Sequence, residues 1–366
     1  MRSRDREIGA RSVTRATAEP RRGRIPDSEE PISVLIVDQR QVEKLLTMPL
    51  CIEAMEGALT ALARGEATLP LRSIVWLPDK SGALGLMPAQ MAASGFLGVK
   101  AVTFFPRNEG TERDSHQGAV LLFDASHGSL VAIMDATAIT AIRTAAVSGV
   151  ATRLLAREDA SDLALVGSGV QARTHLAAML AVRSIRRVRV ASQDLGRAER
   201  FAARESRRHG IIVEPAASVR EAVERADIVC CATSARQPVV LGAWLAPGAH
   251  VNAVGSSVAF ARELDTEAVV RSRLYVDRRE SALAEAGDFV IPRTEGAIGD
   301  DHIVAEIGEV LIEARPGRGS REEITLFKSV GLAVEDVAAA RAIFERARDL
   351  PELPRIDLGG ARSEAE

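Results

Sequence analysis

Aromatic side chains are scarce in this sequence, at 3% of 366 residues, with one tyrosine and two tryptophans. A surface that stacks nucleic-acid bases needs such rings, so a nucleic-acid partner is not expected. Charge of one sign is also missing. The 47 Lys+Arg oppose 50 Asp+Glu, and a net charge of -3 offers no general attraction for a polyanion or an acidic membrane. Cysteine is limited to three residues. Cys230 and Cys231 are adjacent and Cys51 is far away, which fits neither a disulfide framework nor metal-ligand spacing. They read as small buried apolar residues of a reducing compartment. No uninterrupted apolar run has the length of a membrane span. No Ser-His-Asp order, metal cluster or phosphate P-loop is visible. What remains is a balanced chain, 46% hydrophobic and 27% charged, long enough for about two domains. A cytoplasmic protein with no metal and no membrane partner is the expectation.

Against this plain background one stretch stands out. Leu163-Ala-Leu-Val166 is an apolar run that stops at Gly167, and Gly169 and Ala172 follow before a helical pattern through Leu176, Met179 and Leu180. Strand, tight turn and helix spell Gly-x-Gly-x-x-Ala, the alanine-ended dinucleotide fingerprint. Gly167 makes the turn, Gly169 lets backbone amides approach a pyrophosphate, and Ala172 keeps helix and strand close. The helix N-terminus favours the phosphate charge, which makes Val170 and Gln171 part of the candidate cradle. By itself such a motif is equally readable as a glycine-rich turn with no ligand.

The surrounding pattern strengthens the ligand reading. After the fingerprint helix, strands at 188–191, 211–213, 228–233, 250–255 and 273–277 alternate with helices at 197–208 and 219–226. That alternation is what a doubly wound parallel sheet requires, and the fold class is α/β, a Rossmann domain. Before it, strands at 32–38, 71–77, 83–89 and 97–105, a hairpin of 119–123 with 129–134 and a helix at 42–64 give a sheet-rich first domain. The helix 137–157 joins the two. Residues 303–314 read as a further helix, and the segment 324–331 is followed by a helix at 333–350. The expected organisation is a disordered tail over 1–31, a discontinuous α+β substrate-binding and dimerisation domain over 32–143 plus 320–352, the Rossmann domain over 144–319, and a second disordered tail over 353–366.

Three cations interrupt apolar elements: Arg72, Lys100 and Arg143. A charge inside a core element is costly unless paired, so each can be read as a buried salt bridge or a snorkelling side chain. Together, beside a nucleotide fold, they fit a site for a small carboxylate, which arginine holds with two parallel hydrogen bonds. The tip of the strand after the fingerprint reads Ala191-Ser-Gln-Asp194. Ser192 and Gln193 stand where an acid usually meets the ribose hydroxyls of NAD, and Arg197 follows within reach of a 2′-phosphate. The cofactor expectation is therefore NAD(P)(H), with NADP(H) favoured.

These residues resemble the ornithine cyclodeaminase/mu-crystallin family over roughly residues 32 to 350. The segments that carry the resemblance are Ser115-His-Gln117, Ile139-Thr-Ala-Ile-Arg-Thr-Ala-Ala146, Gly167-Ser-Gly-Val-Gln171, Pro247-Gly-Ala-His-Val-Asn-Ala-Val-Gly255, Arg262-Glu-Leu-Asp265, Glu285-Ala-Gly-Asp288, Glu306-Ile-Gly-Glu-Val310 and Phe327-Lys-Ser-Val-Gly331. The resemblance implies a homodimer whose first domain is completed by the C-terminal segment. It implies that Arg72 and Lys100 hold the substrate carboxylate and that Arg143 and Thr144 lie between substrate and cofactor. It also implies that Ser115, His116, Thr233, Val254, Gly255, Ser257 and Ser329 line the nicotinamide cofactor. Ser257 stands where the family's cyclodeaminases carry an aspartate, as in sequences similar to mu-crystallin. A serine does not act as a carboxylate base near neutral pH. The expectation is an NAD(P)H-dependent reductase of small imino acids, or amino-acid dehydrogenase, with Arg72 and Lys100 as its catalytic residues. Cyclodeamination of a diamino acid is the first alternative, and a non-catalytic NADPH and small-ligand binding protein the second.

Overall fold

The structure is a computed structural model and describes residues 33–108 and 111–359. The segment 1–31, expected to be a disordered tail, lies outside the described residues. The chain opens with β1 (Ser33–Val37), α1 (Gln39–Leu45), α2 (Met48–Ala63) and the strands β2 (Ala67–Thr68), β3 (Ser73–Trp76), β4 (Ala83–Met91), β5 (Phe96–Phe104), β6 (His116–Asp124) and β7 (Leu130–Asp135). The long α3 (Ala136–Leu155) leads into β8 (Asp162–Val166), α4 (Val170–Val182), β9 (Arg187–Ala191), α5 (Leu195–His209), β10 (Val213–Pro215), α6 (Val219–Val223), β11 (Ile228–Cys231) and β12 (His250–Ala253). The remainder is α7 (Thr266–Val270), β13 (Ser272–Val276), α8 (Arg279–Glu285), α9 (Gly287–Thr294), β14 (Ile303–Glu306), α10 (Ile307–Leu311), β15 (Ile324–Lys328), α11 (Ala333–Ala347) and β16 (Arg355–Asp357).

Two eight-stranded sheets result. The first runs β16-β1-β7-β6-β5-β4-β2, with β3 also paired to β4, and is antiparallel except where β1 meets β7. The second is wholly parallel in the order β10-β9-β8-β11-β12-β15-β13-β14. Its order reverses between β8 and β11, and a doubly wound sheet receives its ligand outside the strand ends at such a point. The central strands Leu163–Val166 and Ile228–Cys231 are buried throughout, as strands covered on both faces must be.

Local chemistry explains the element starts nearest the site. Asp135 caps α3 by accepting from the Ala138 amide, and Asp194 caps α5 by accepting from the Gly196 amide. The expected single helix over 42–64 is two helices that meet at 84°. Thr47 stands at the N-cap of the second without a side-chain bond, and Pro49 occupies its first turn where a missing N–H costs nothing. By length and apolarity alone α3 would span a bilayer. Instead it is buried in protein and packs on α2, α4, β6 and β12, so it ties the two sheets together.

Three expectations need correction. Residues 303–306 form β14 rather than the start of a helix, and only 307–311 are helical. Residues 324–328, assigned with 320–352 to the first domain, are β15 at the heart of the second sheet, between β12 and β13. The stretch from 353 is not disordered at its start, because β16 pairs antiparallel with β1.

Candidate active site

The fingerprint adopts the shape its glycines predict. Gly167 has φ +114°, a conformation that side chains disfavour, and a Cβ there would collide with the Ala232 carbonyl. Gly169 is the N-cap of α4 and has open space where a Cβ would be. Val170 and Gln171 open that helix. Val170 is exposed, and the Gln171 side-chain oxygen is buried without a partner. Ser168 and Ser192 exchange a hydroxyl hydrogen bond of 2.9 Å, which pins the turn to the tip of β9. Gln193 and Arg197 are exposed beside it, while Asp194 turns its carboxylate into the α5 cap (2.9 Å to the Gly196 amide). The cradle fits a dinucleotide: glycines where backbone must approach, unpaired amides at a 13-residue helix, and a wall free of side chains.

The far side of the crevice is continuous with this turn. Thr233 follows β11, and its methyl group would lie 3.5 Å from a Cβ at Gly167. Val254, Gly255 and Ser257 follow β12, where Gly255 packs on the Thr233 carbonyl and Ser257 is exposed. Ser329 follows β15, is buried, and donates to Asp277 at 3.3 Å. Asp277 also accepts from the amides of Val330 (2.7 Å) and Gly331 (2.8 Å), which sets the path of the chain as it leaves the second sheet for α11.

That path brings the three cations together. Arg143 on α3 donates from Nε to Asp336 (2.9 Å) and from Nη1 to Glu335 (2.9 Å), and its guanidinium packs against Gly331. Lys100 on β5 meets the other oxygen of the same Asp336 at 2.8 Å and the Thr140 hydroxyl at 3.3 Å. Arg72, just ahead of β3, donates from Nε to Glu285 (3.0 and 2.9 Å) and from Nη2 to the Val330 carbonyl (3.3 Å). The salt-bridge reading therefore holds for all three at once. Lys100 and Arg143 are buried and Arg72 is 19% exposed in its side chain. No bond to a described residue engages Arg72 Nη1, so one edge of that guanidinium remains for a ligand.

Burial pushes the Lys100 ammonium down to about 8, with Asp336 opposing the fall and Arg143 adding to it. Burial likewise raises Glu335 to about 8, against the pull of Arg143 and with the repulsion of Asp277 and Asp336. Two groups in contact with one network thus lie just above neutrality, in the range suited to a general acid or base. Thr144 is buried beside Arg143. Ser115 and His116 open β6, bonded to each other at 3.1 Å, and the His116 ring lies 4.7 Å from that of Phe104. They belong to the first sheet, and no hydrogen bond joins them to the fingerprint among the described residues.

The partners of the cations were not identified from sequence. Glu335 and Asp336 lie in the first turn of α11, about two hundred residues or more from the side chains they meet, and a pair of acids there reads as ordinary helix chemistry. Glu285 falls in one of the segments that carry the resemblance, but nothing local links it to Arg72.

The ornithine cyclodeaminase/mu-crystallin family model matches residues 33–350. The chain is 41% identical over 306 residues to the ketimine reductase mu-crystallin of Mus musculus, covering 83% of this chain and 94% of that protein. Among solved structures it resembles Thermococcus litoralis Delta(1)-pyrroline-2-carboxylate reductase in complex with NADH and L-proline, at 42% identity and TM-score 0.84, covering 86% of this chain and 98% of that one. An archaeal alanine dehydrogenase dimer with bound NAD is similar at 32% identity and TM-score 0.84, with 89% and 100% covered. Sequence, sheet order and relatives agree that this chain is a member of the ornithine cyclodeaminase/mu-crystallin family.

Proposed function

We propose that this protein is an NAD(P)H-dependent reductase of small imino acids, which in reverse acts as an amino-acid dehydrogenase. The observation that carries it is that Arg72 and Arg143 meet at Val330–Gly331 while Lys100 shares Asp336 with Arg143, next to a dinucleotide crevice that ends at Thr233, Gly255 and Ser329. The relatives are of the same kind: a ketimine reductase, and a pyrroline-2-carboxylate reductase solved with NADH and proline.

The residues divide the work by chemistry. Arg72 offers its free edge to the substrate carboxylate, and Glu285 on its other edge fixes the guanidinium plane. Lys100, held by Asp336, contacts the substrate and gives a proton to the imine nitrogen. Arg143 and Thr144 stand between the carboxylate site and the crevice. The bound nicotinamide supplies the hydride to the alpha carbon. Ser115, His116, Thr233, Val254, Ser257 and Ser329 would line the nicotinamide cofactor, and Gly167, Gly169, Val170 and Gln171 would hold its pyrophosphate. With Asp194 spent on the α5 cap and Arg197 exposed, the adenosine end favours a 2′-phosphate, so NADP(H) is the proposed cofactor. The exposed Val75, Leu84, Leu86 and Leu97 of β3, β4 and β5 share one face of the first sheet, an apolar face that a second copy would cover, and a homodimer is proposed on that ground. The three cysteines are free and buried, which suits the reducing cytoplasm.

Cyclodeamination is the second reading, and Ser257 weighs against it because a hydroxyl cannot replace a carboxylate base. The test offers the purified protein either ornithine with oxidised cofactor or pyrroline-2-carboxylate with NADPH. Proline formed from the imine with loss of NADPH absorbance is the expected result. Ammonia and proline released from ornithine, with no turnover of the imine, would reverse the assignment.

A further inference from the structure

A second charged cluster, separate from the three cations, lies behind the walls of the crevice. Lys328, the last residue of β15, is fully buried and donates to the Gly255 carbonyl while pairing with Asp288 at 3.0 Å. The other oxygen of Asp288, on α9, accepts from the amides of Glu263 (2.8 Å) and Leu264 (2.9 Å). Glu263 in turn accepts from the Thr233 amide at 2.6 Å. Its second oxygen is buried without a hydrogen-bond partner and lies against Gly255, where any Cβ would run into the carboxyl group. All three side chains are fully or almost fully buried, where charges are costly unless paired and hydrogen-bonded. Glu263, Asp288 and Lys328 sit inside three of the motif segments, yet none of them has a part in the carboxylate site.

Their placement points to the cofactor. Thr233 and Gly255 follow β11 and β12, on the side of the switch point away from the fingerprint, so a dinucleotide whose pyrophosphate rests on α4 extends its second half over them. The ring at that end is cationic when oxidised and neutral when reduced. We propose that Glu263, Asp288 and Lys328 form a buried positioning cluster that fixes the crevice walls at Thr233 and Gly255, and that the ionisation of Glu263 sets the preference for the oxidised over the reduced cofactor. The inference rests on the cofactor reading given above.

With Glu263 ionised, two carboxylates face one ammonium and the cluster carries a net negative charge. With Glu263 protonated it is neutral. Burial and then the Asp288 charge push Glu263 up to about 7, while Lys328 and the Thr233 amide pull it down. The groups that face it are Asp288 from α9, Lys328 from β15 and the Cys231 thiol from β11, and burial holds that thiol well above its ordinary range. Glu263 is thus the member of the cluster that changes charge near neutrality. A negative cluster favours the oxidised ring, so the relative affinity for oxidised cofactor rises as pH increases through this titration.

The test is calorimetric titration of the full-length protein with NADP⁺ and NADPH, and with NAD⁺ and NADH, from pH 6 to pH 8.5. The 2′-phosphate also titrates near the lower end, but it does so in both members of a pair and cancels in their ratio. In the wild type the ratio of reduced to oxidised dissociation constants is expected to rise about tenfold across this range, the effect of one charge acting through partly screened protein. Glu263→Gln keeps an acceptor for the Thr233 amide and should give a flat ratio. Asp288→Asn should move the rise to lower pH. A flat ratio in the wild type, or an unchanged rise in Glu263→Gln, overturns the proposal alone. Failure of every cofactor to bind at any pH overturns both the proposal and the cofactor reading. Lys100 and Glu335 also titrate in this range, so a wild-type rise is assigned by Glu263→Gln, and, should that variant not fold, by Asp288→Asn, whose unchanged rise would overturn the proposal.

Discussion

Lys100 shows how much one side chain's surroundings determine. On β5 between valines it would be an expensive charge, yet Asp336 meets it at 2.8 Å and Thr140 at 3.3 Å, while burial lowers it to about 8 from an ordinary 10.5. As the proton donor it must be charged for imine reduction. Reduction should therefore proceed at full rate below pH 8 and fall about tenfold per unit above it. The reverse, amino-acid oxidation, needs the neutral amine and should rise through the same pH. Parallel pH profiles of kcat/KM in the two directions check this, and a reduction rate still flat at pH 9.5 contradicts the role. The lysine itself was visible in the sequence because a charge between valines is conspicuous. Its partner was not. Asp336 sits in the first turn of α11, where an acid is unremarkable, and only the tertiary fold brings it to β5.

At the scale of the element, the turn between β8 and α4 is where sequence and structure agree most closely. A strand that must reverse into a helix within two residues needs a positive φ, and Gly167 at +114° supplies it. That demand is local, so the fingerprint could be read from a few residues. Gly167→Ala forces a Cβ into the Ala232 carbonyl, and we expect loss of cofactor binding by at least about tenfold with destabilisation of about 1–3 kcal/mol. Calorimetric binding and thermal unfolding measure the two effects. Unchanged affinity in a folded variant would remove the turn from the site. Elements whose identity depends on neighbours were harder to read. Ile303-Val-Ala-Glu306 is a four-residue strand fused to the next helix, so its apolar residues blend into a helical pattern. The place of 324–328 between β12 and β13 was not legible, because a parallel sheet does not encode strand order locally.

For the whole molecule, the arrangement is two sheets joined by α3, with the three cations on the side of the first and the Gly167 turn at the strand ends of the second. The segment from β15 to α11 crosses between them: Lys328 supports the crevice, Val330 and Gly331 meet Arg72 and Arg143, and Glu335 and Asp336 hold the cations. The exposed apolar face of β3, β4 and β5 lies at the edge of the first sheet. Val75 is 61% exposed, and Val75→Asp should weaken self-association without unfolding the chain. Sedimentation at several concentrations reads the outcome, and a wild type that stays monomeric throughout rules out that use of the face.

The central claim is that Arg72, Lys100 and Arg143 serve a substrate carboxylate beside a reducing cofactor. The most direct measurement compares NADPH oxidation with pyrroline-2-carboxylate and with 1-pyrroline, the same ring without its carboxylate. Turnover of the carboxylated imine is expected, with a kcat/KM lower by about 100-fold or more for the other, since a charge-assisted arginine pair is worth about 1.5–3 kcal/mol and the site's cations would be left facing no anion. Equal turnover of the two imines, or none of either, would contradict the claim.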